Sequence, residues 1–279
     1  MTKFTELFCG AYTLKLDRPL IMGIVNVTPD SFSDGGKFFS RDRAIEHGLR
    51  LIEEGADLLD IGGESTRPGS LSVELDDELQ RVIPVIEALR DKKIPLSIDT
   101  QKTAVMDAAM KAGASMINDV NALRAEGALQ VAAKSGAGIC MMHMLGTPQT
   151  MQQLIEYNDV LLEVKNYLLS RAQAAEQAGI AKNCIALDPG FGFGKRTVHN
   201  LALLRGLSSI VDLGYPVLAG LSRKSIFGEL TGKPAAERVS ASIAAALLAA
   251  QNGASIIRVH DVAATKDALA VLHAVQTQH

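Results

Sequence analysis

The chain has 279 residues, 47% of them hydrophobic and 21% charged, so it can bury a full-size core and is not disordered as a whole. A formal net charge of -3 leaves no excess of Lys and Arg of the kind that neutralises a nucleic-acid backbone. Nucleic acid is therefore not an expected partner.

The opening stretch, MTKFTELFCGAYTLKLDRP, alternates polar and apolar residues and lacks the basic start and apolar core of a signal peptide. Cys9, Cys140 and Cys184 are too far apart for a zinc ribbon or redox pair. They read as reduced thiols, and a cytoplasmic location is expected.

From Leu20 onward one unit recurs: a short apolar run ending in polar or glycine residues, followed by a stretch with helical spacing. The strand candidates are LIMGIVN from Leu20, DLLDIGG from Asp57, IPLSIDT from Ile94 and SMIND from Ser115. GICMMH from Gly138, CIALDPG from Cys184, YPVLAGLS from Tyr215 and SIIRVHD from Ser255 complete the set. Apolar interiors suit strands covered on both faces, as in a parallel sheet. Amphipathic segments lie between them, such as Arg43 to Glu54, Glu74 to Arg90, Leu161 to Ala178 and Ala235 to Gln251. Gly55, Gly113 and Gly253 follow such segments as expected helix caps. The uncharged run Ser240 to Gly253 falls short of the roughly 18 to 20 residues of a membrane span. It reads as a buried or subunit-facing helix.

Eight such units fit a closed barrel of roughly 250 residues better than an open doubly wound sheet. The expected fold is a single-domain (β/α)8 TIM barrel spanning 1–279, with the short amino-terminal extension covering the barrel bottom.

That frame gathers reactive side chains at strand ends. Asn26 follows the first strand, and Glu64, Thr66 and Arg67 the second. Asp99 ends the third, Asn118 and Asp119 the fourth, His143 the fifth and Asp188 the sixth. Arg223 and Lys224 follow the seventh, and Arg258, His260 and Asp261 finish the eighth. In this fold that rim is where active sites are built. Asp99 or Asp188 alone could equally cap a helix. The pair is harder to dismiss, because Pro189 and three glycines after Asp188 start a helix poorly. Arg223 and Lys224 directly follow an apolar strand, which favours function over a solvated basic pair. His143, flanked by Met141, Met142 and Met144, reads instead as a core histidine.

Two phosphate motifs fail. GFGFGK, from Gly190 to Lys195, has Pro189 where a P-loop needs its first glycine and Arg196 where it needs Ser or Thr. Lys195 also stands where a dinucleotide fingerprint needs its third glycine. Without an HExxH motif or histidine cluster, zinc is not expected, and any metal should be Mg²⁺ held weakly through oxygen ligands. The loops Thr28 to Ser40 and Glu64 to Ser72 are long for strand-to-helix connections and read as lids, with Phe32 and Pro68 on them.

These segments closely resemble the bacterial dihydropteroate synthase family along essentially the whole chain. The resemblance rests on GIVNVTPDSFSDGG at 23–36, GGESTRPG at 62–69, SIDT at 97–100 and IND at 117–119. LDPGFGFGK at 187–195, SRKS at 222–225 and IRVHD at 257–261 continue it in the family's order. It implies condensation of 6-hydroxymethyl-7,8-dihydropterin diphosphate with 4-aminobenzoate, giving 7,8-dihydropteroate and pyrophosphate. Carried over by motif, Asp99, Asn118, Asp188 and Lys224 line the pterin edge, with Met142, Phe193 and Arg258 near its faces. Asn26, Thr66, Arg258 and His260 meet the diphosphate, with Mg²⁺ held partly by Asn26. Phe32, Arg67, Pro68, Lys224 and Ser225 meet 4-aminobenzoate, which sulfonamides imitate. Asp99, Asp188, Lys224 and Arg258 are the implied catalytic set, and a homodimer is implied. The alternatives are a pterin-dependent methyltransferase barrel, not expected to keep both the first lid and SRKS, and a non-catalytic pterin-binding barrel, which has no use for Asn26, Arg67 and His260.

Overall fold

The computed structural model describes residues 5–28, 37–66, 69–153 and 155–277. Strands β1 (Glu6–Cys9) and β2 (Tyr12–Lys15) form an antiparallel hairpin. Eight parallel strands follow among the described residues: β3 (Leu20–Asn26), β4 (Leu58–Gly62), β5 (Leu96–Asp99), β6 (Met116–Asp119), β7 (Gly138–Met142), β8 (Ile185–Asp188), β9 (Leu218–Ala219) and β10 (Ile256–Val259). Each begins within three residues of its sequence-based candidate. They pair in the order β8-β7-β6-β5-β4-β3-β10-β9. A parallel bridge between Leu187 and Val217, with Leu187 N donating to Pro216 O at 2.9 Å, brings the two edges together into a nearly closed barrel.

Helices α1 (Lys37–Glu54), α2 (Leu75–Leu89), α3 (Thr103–Ala112), α4 (Ala128–Ser135) and α5 (Val160–Gln177) surround the strands. So do α6 (Thr197–Arg205), α7 (Leu207–Val211), α8 (Ser225–Thr231), α9 (Val239–Gln251) and α10 (Val262–Thr277). Gly55, Gly113 and Gly253 take φ of 99°, 121° and 95° at helix ends, a range that side chains with a Cβ rarely adopt. Two boundaries differ from the sequence reading. The first connection is shorter than Thr28 to Ser40, because α1 already begins at Lys37 rather than Arg43. The Ala235 to Gln251 segment divides into a 3₁₀ turn at Ala235–Glu237 and α9, with Arg238 between them.

The period of two along each strand sorts its side chains into two cores. Ile21, Val25, Leu59, Ile61, Ile98, Ile117, Ile139, Met141, Leu187 and Ile257 face the helices in one large cluster. The alternate positions face the barrel axis. Toward the bottom these are Leu20, Met22, Leu58, Met116, Cys140, Ala186, Leu218 and Ile256, which pack on Leu7 and Cys9 of the hairpin. The amino-terminal extension thus plugs the barrel bottom, as expected. A Cβ added to Gly138 would lie 2.4 Å from Cys9 Sγ, so the seal depends on glycine at the start of β7. One residue pair further up, the same inward positions carry Asp60, Asp99, Asn118, Asp188 and Arg258.

Candidate active site

Above the apolar plug, Arg258 lies at the centre of a buried charge network. Its Nε donates to Asp60 Oδ2 at 2.5 Å and its Nη2 to Asp99 Oδ2 at 2.7 Å. Asn118 Nδ2 donates to the same Asp60 oxygen at 3.0 Å. Burial alone would make Arg258 less basic, but the adjacent Asp60 and Asp99 more than reverse this and raise it. One guanidinium serves two buried carboxylates. Burial therefore dominates at Asp99, which rises to about 7 despite Arg258 beside it.

Asp188 closes the opposite side, where its Oδ1 accepts the Gly190 N–H at 2.7 Å. Burial raises it as well, opposed by that bond and by the positive charge of Lys224. Lys224 Nζ stands 4.1 Å above the Phe193 ring, a cation–π contact. Thr66, Asp99, Asn118, Met142, Asp188, Phe193, Lys224 and Arg258 line one cleft at the carboxyl ends of the strands, together with Val120, Phe191 and Gly220. The wall is mixed: carboxylate, amide and ammonium groups around the edge, thioether and aromatic surfaces on the faces.

Of the remaining expected residues, Asn26, His260 and Ser225 are not among its lining. Asn26 is half-buried at the end of β3, opposite Gly62 in register. His260 is held by Ser222, whose Oγ accepts the His260 N–H at 3.2 Å and lies 3.0 Å from Nδ1. Burial, then the charges of Arg258 and Arg223, lower His260 to about 3, so the ring is neutral. Ser225 is exposed at the start of α8. Phe32, Arg67 and Pro68 lie outside the described residues.

Other rim residues have structural partners. Asp119 faces away from the axis and accepts the N–H groups of Asn121 and Leu123, both at 2.7 Å. Arg223 adopts φ 57° and donates to both oxygens of Asp261, at 3.0 and 2.5 Å, tying β10 to the segment that carries Lys224. Glu64 accepts from Gln101 Nε2 at 2.9 Å and pairs with Lys102, which also reaches Glu78 Oε2 at 2.5 Å. That network fixes the base of the second loop.

The sequence reading missed two parts of the site. Asp60 sits in mid-strand within LLDIG, two residues before the end of β4. A charged residue inside an apolar run at an inward position was the available signal. Lys195 is the other: it is 4% exposed and bonded to His143, which is buried as expected of a core histidine but is not merely packed there.

A barrel with this cleft has known relatives. The sequence profile of the family described as pterin binding enzyme matches residues 22–260. The dihydropteroate synthase of Escherichia coli K12 is 48% identical over 270 residues, covering 96% of each chain. This chain belongs to the dihydropteroate synthase family. Among solved members, the Xanthomonas albilineans enzyme with 4-aminobenzoic acid superposes with a TM-score of 0.94 at 56% identity, covering 99% of both chains. The same enzyme in complex with 7,8-dihydropteroate gives 0.89 at 53%, covering 98% of this chain and 100% of that one. The pterin-binding profile therefore runs from β3 to the end of β10, and every inward polar residue of the dihydropteroate synthase cleft described above lies within it.

Proposed function

We infer that this transferase joins 6-hydroxymethyl-7,8-dihydropterin diphosphate to 4-aminobenzoate, forming 7,8-dihydropteroate and pyrophosphate in folate biosynthesis. The observation that carries the reading is the cleft's composition, with Asp99, Asn118, Asp188 and Lys224 around a slot faced by Met142 and Phe193. A pterin is a flat ring with donors and acceptors on its edge. Acceptors at Asp99 and Asp188 and donors at Asn118 and Lys224 answer that edge, and buried unpaired groups would penalise a ring without it.

In the reaction, the bond from the pterin methylene carbon to the diphosphate oxygen breaks, a carbon–nitrogen bond to the aromatic amine forms, and the amine loses a proton. An aromatic amine is a nucleophile at neutral pH. The chain therefore needs no activated nucleophile of its own. Loss of diphosphate before attack leaves positive charge in the pterin, which the carboxylates of Asp99 and Asp188 stabilise. Arg258, Thr66, Asn26 and His260 receive the leaving diphosphate, Arg258 through its charge and the three neutral side chains through hydrogen bonds. Phe32, Arg67, Pro68, Lys224 and Ser225 are proposed to hold 4-aminobenzoate.

Among the described residues no three His, Cys, Asp or Glu side chains gather as a metal site. Asn26 brings one neutral oxygen. That donor set fits Mg²⁺ that arrives on a diphosphate rather than in a protein cage. When bound, the ion neutralises leaving-group charge.

A methyltransferase or a non-catalytic barrel is not favoured, since the related structures hold 4-aminobenzoic acid and dihydropteroate. A homodimer and a cytoplasmic location complete the proposal. Leu248 on the outer side of α9 is available for a subunit contact, and no helix among the described residues is long and apolar enough to cross a membrane. The test is incubation with pterin diphosphate, 4-aminobenzoate and Mg²⁺. Pyrophosphate and dihydropteroate should appear in equal amounts; absence of both overturns the reading.

A further inference from the structure

Lys195 ends the GFGFGK stretch that fits neither phosphate motif, and the chemistry above does not use it. Its Nζ lies 2.9 Å from Gly190 O, 3.0 Å from Phe193 O, 3.2 Å from His143 O and 2.9 Å from His143 Nδ1. Four acceptors thus surround three N–H groups. Only the ammonium form donates to three of them at once. Burial pushes the side chain down to about 7, opposed by the nearby charge of Asp188. Burial, and then the charge of Lys195, lowers His143 to about 3, which leaves its imidazole neutral.

The loop around this amine is built on glycines. Gly190, Gly192 and Gly194 all take positive φ, at 69°, 82° and 62°. At Gly190 a Cβ would fall 1.9 Å from His143 O, so the loop backbone lies directly against the end of β7. Carbonyl oxygens crowd that seam, and Lys195 supplies the donors between them. The other side of the same loop builds the cleft: Gly190 N–H holds the Asp188 carboxylate, and Phe193 presents its ring beneath Lys224. Tyr157 OH donates to Gly194 O at 2.9 Å and Gly192 N–H donates to Asn200 Oδ1 at 2.7 Å, anchoring two further points, but neither bond is to a carbonyl that Lys195 holds.

We propose that Lys195 is a positioning residue for the pterin: by clamping the carbonyls of Gly190, Phe193 and His143, it sets the Asp188 carboxylate and the Phe193 ring against the heterocycle. This rests on the assignment of the cleft to the pterin. The effect is selective, because the clamp acts on the loop behind the pterin and, of the described residues assigned to 4-aminobenzoate, meets Lys224 only through the Phe193 ring.

The test is Lys195→Met, a side chain of similar length without N–H groups. Pterin diphosphate affinity by calorimetry should fall about tenfold or more, the scale for losing an ordered polar contact in a buried site. The KM for 4-aminobenzoate should change less than about twofold, within ordinary variation for an untouched site. In Lys195→Ala, added propylammonium restores the removed atoms and should recover pterin affinity, whereas tetramethylammonium, with charge but no N–H, should not. If Lys195→Met does not fold, Lys195→Gln takes its place, with an intermediate loss expected from its two amide donors. Unchanged pterin affinity in a folded variant, or equal losses for both substrates, overturns the proposal. Wild-type turnover in the same assay separates this from failure of the functional reading, which would leave the unaltered chain inactive.

Discussion

Arg258 and Asp60, 198 residues apart in the chain, meet at 2.5 Å inside the barrel from strands that both flank β3. Asp60 is fully buried, and its Oδ1 has no hydrogen-bond partner among the described residues. Removing one member of a buried pair costs about 3 to 5 kcal/mol when the other charge is left uncompensated, and Asp99, raised by burial, compensates Arg258 only in part. Asp60→Ala is therefore expected to lose that much stability in urea unfolding, and to weaken pterin binding as Arg258 turns toward Asp99. A loss below about 1 kcal/mol, the range of an exposed pair, would show that Asp99 alone balances the guanidinium.

Asp188→Ala should lose pterin affinity beyond any loss of stability. The carboxylate is proposed to accept from the heterocycle while also accepting the Gly190 N–H. Leaving the ligand's buried donors unpaired costs about 1.5 to 3 kcal/mol. Titration calorimetry on the folded variant checks this. Were Asp188 only a turn former, stability would drop and affinity would stay normal.

The pH dependence of folding carries a signature of Asp99. Its carboxyl rises from 3.8 to about 7 on burial, so between those values the folded state holds a proton that the unfolded chain releases. Its contribution to stability is fully present below pH 3.8 and is lost as pH rises through about 7. His143 and His260, both lowered to about 3, act in the opposite direction between pH 3 and 6.5. The difference between the wild type and Asp99→Asn removes their share. Wild-type Tm should fall relative to Asp99→Asn from pH 4 to pH 7, and parallel curves would contradict a raised Asp99.

The period of two explains both what could be read from the sequence and what could not. Apolar runs separated by helical spacing located the strands, and strand ends located Asp99, Asn118, Asp188 and Arg258. Treating every strand-end residue alike also placed Asp119 at the rim beside Asn118. Adjacent residues point to opposite faces, and Asp119 caps the following turn. The reverse error hid Asp60, which alternation turns inward two residues before the end of β4. Lys195 was harder still. Its role depends on the carbonyls of Gly190 and Phe193 folding around it and on His143 arriving from another strand, and no local pattern encodes that meeting.

Magnesium should bind with the diphosphate and not before it. Mg²⁺ dehydrates reluctantly and typically takes one or two protein oxygens plus substrate phosphates. Asn26 offers a neutral amide oxygen at the end of β3, and the described residues contain no acidic cluster to supplement it. The nearby carboxylates Asp60 and Asp99 are already engaged by Arg258. Recruiting either for a metal would break a buried ion pair, a cost a single weak site does not offset. Titration of the protein alone with Mg²⁺ should therefore give no saturable heat at concentrations where the pterin diphosphate complex takes up the ion. Asn26→Ala should weaken that joint binding while leaving a pterin without a diphosphate bound as before, because Asn26 is not among the residues lining the cleft proposed for the ring. Tight, saturable Mg²⁺ uptake by the protein alone would contradict a diphosphate-borne ion, and equal losses for pterins with and without the diphosphate would move Asn26 from the leaving group to the ring.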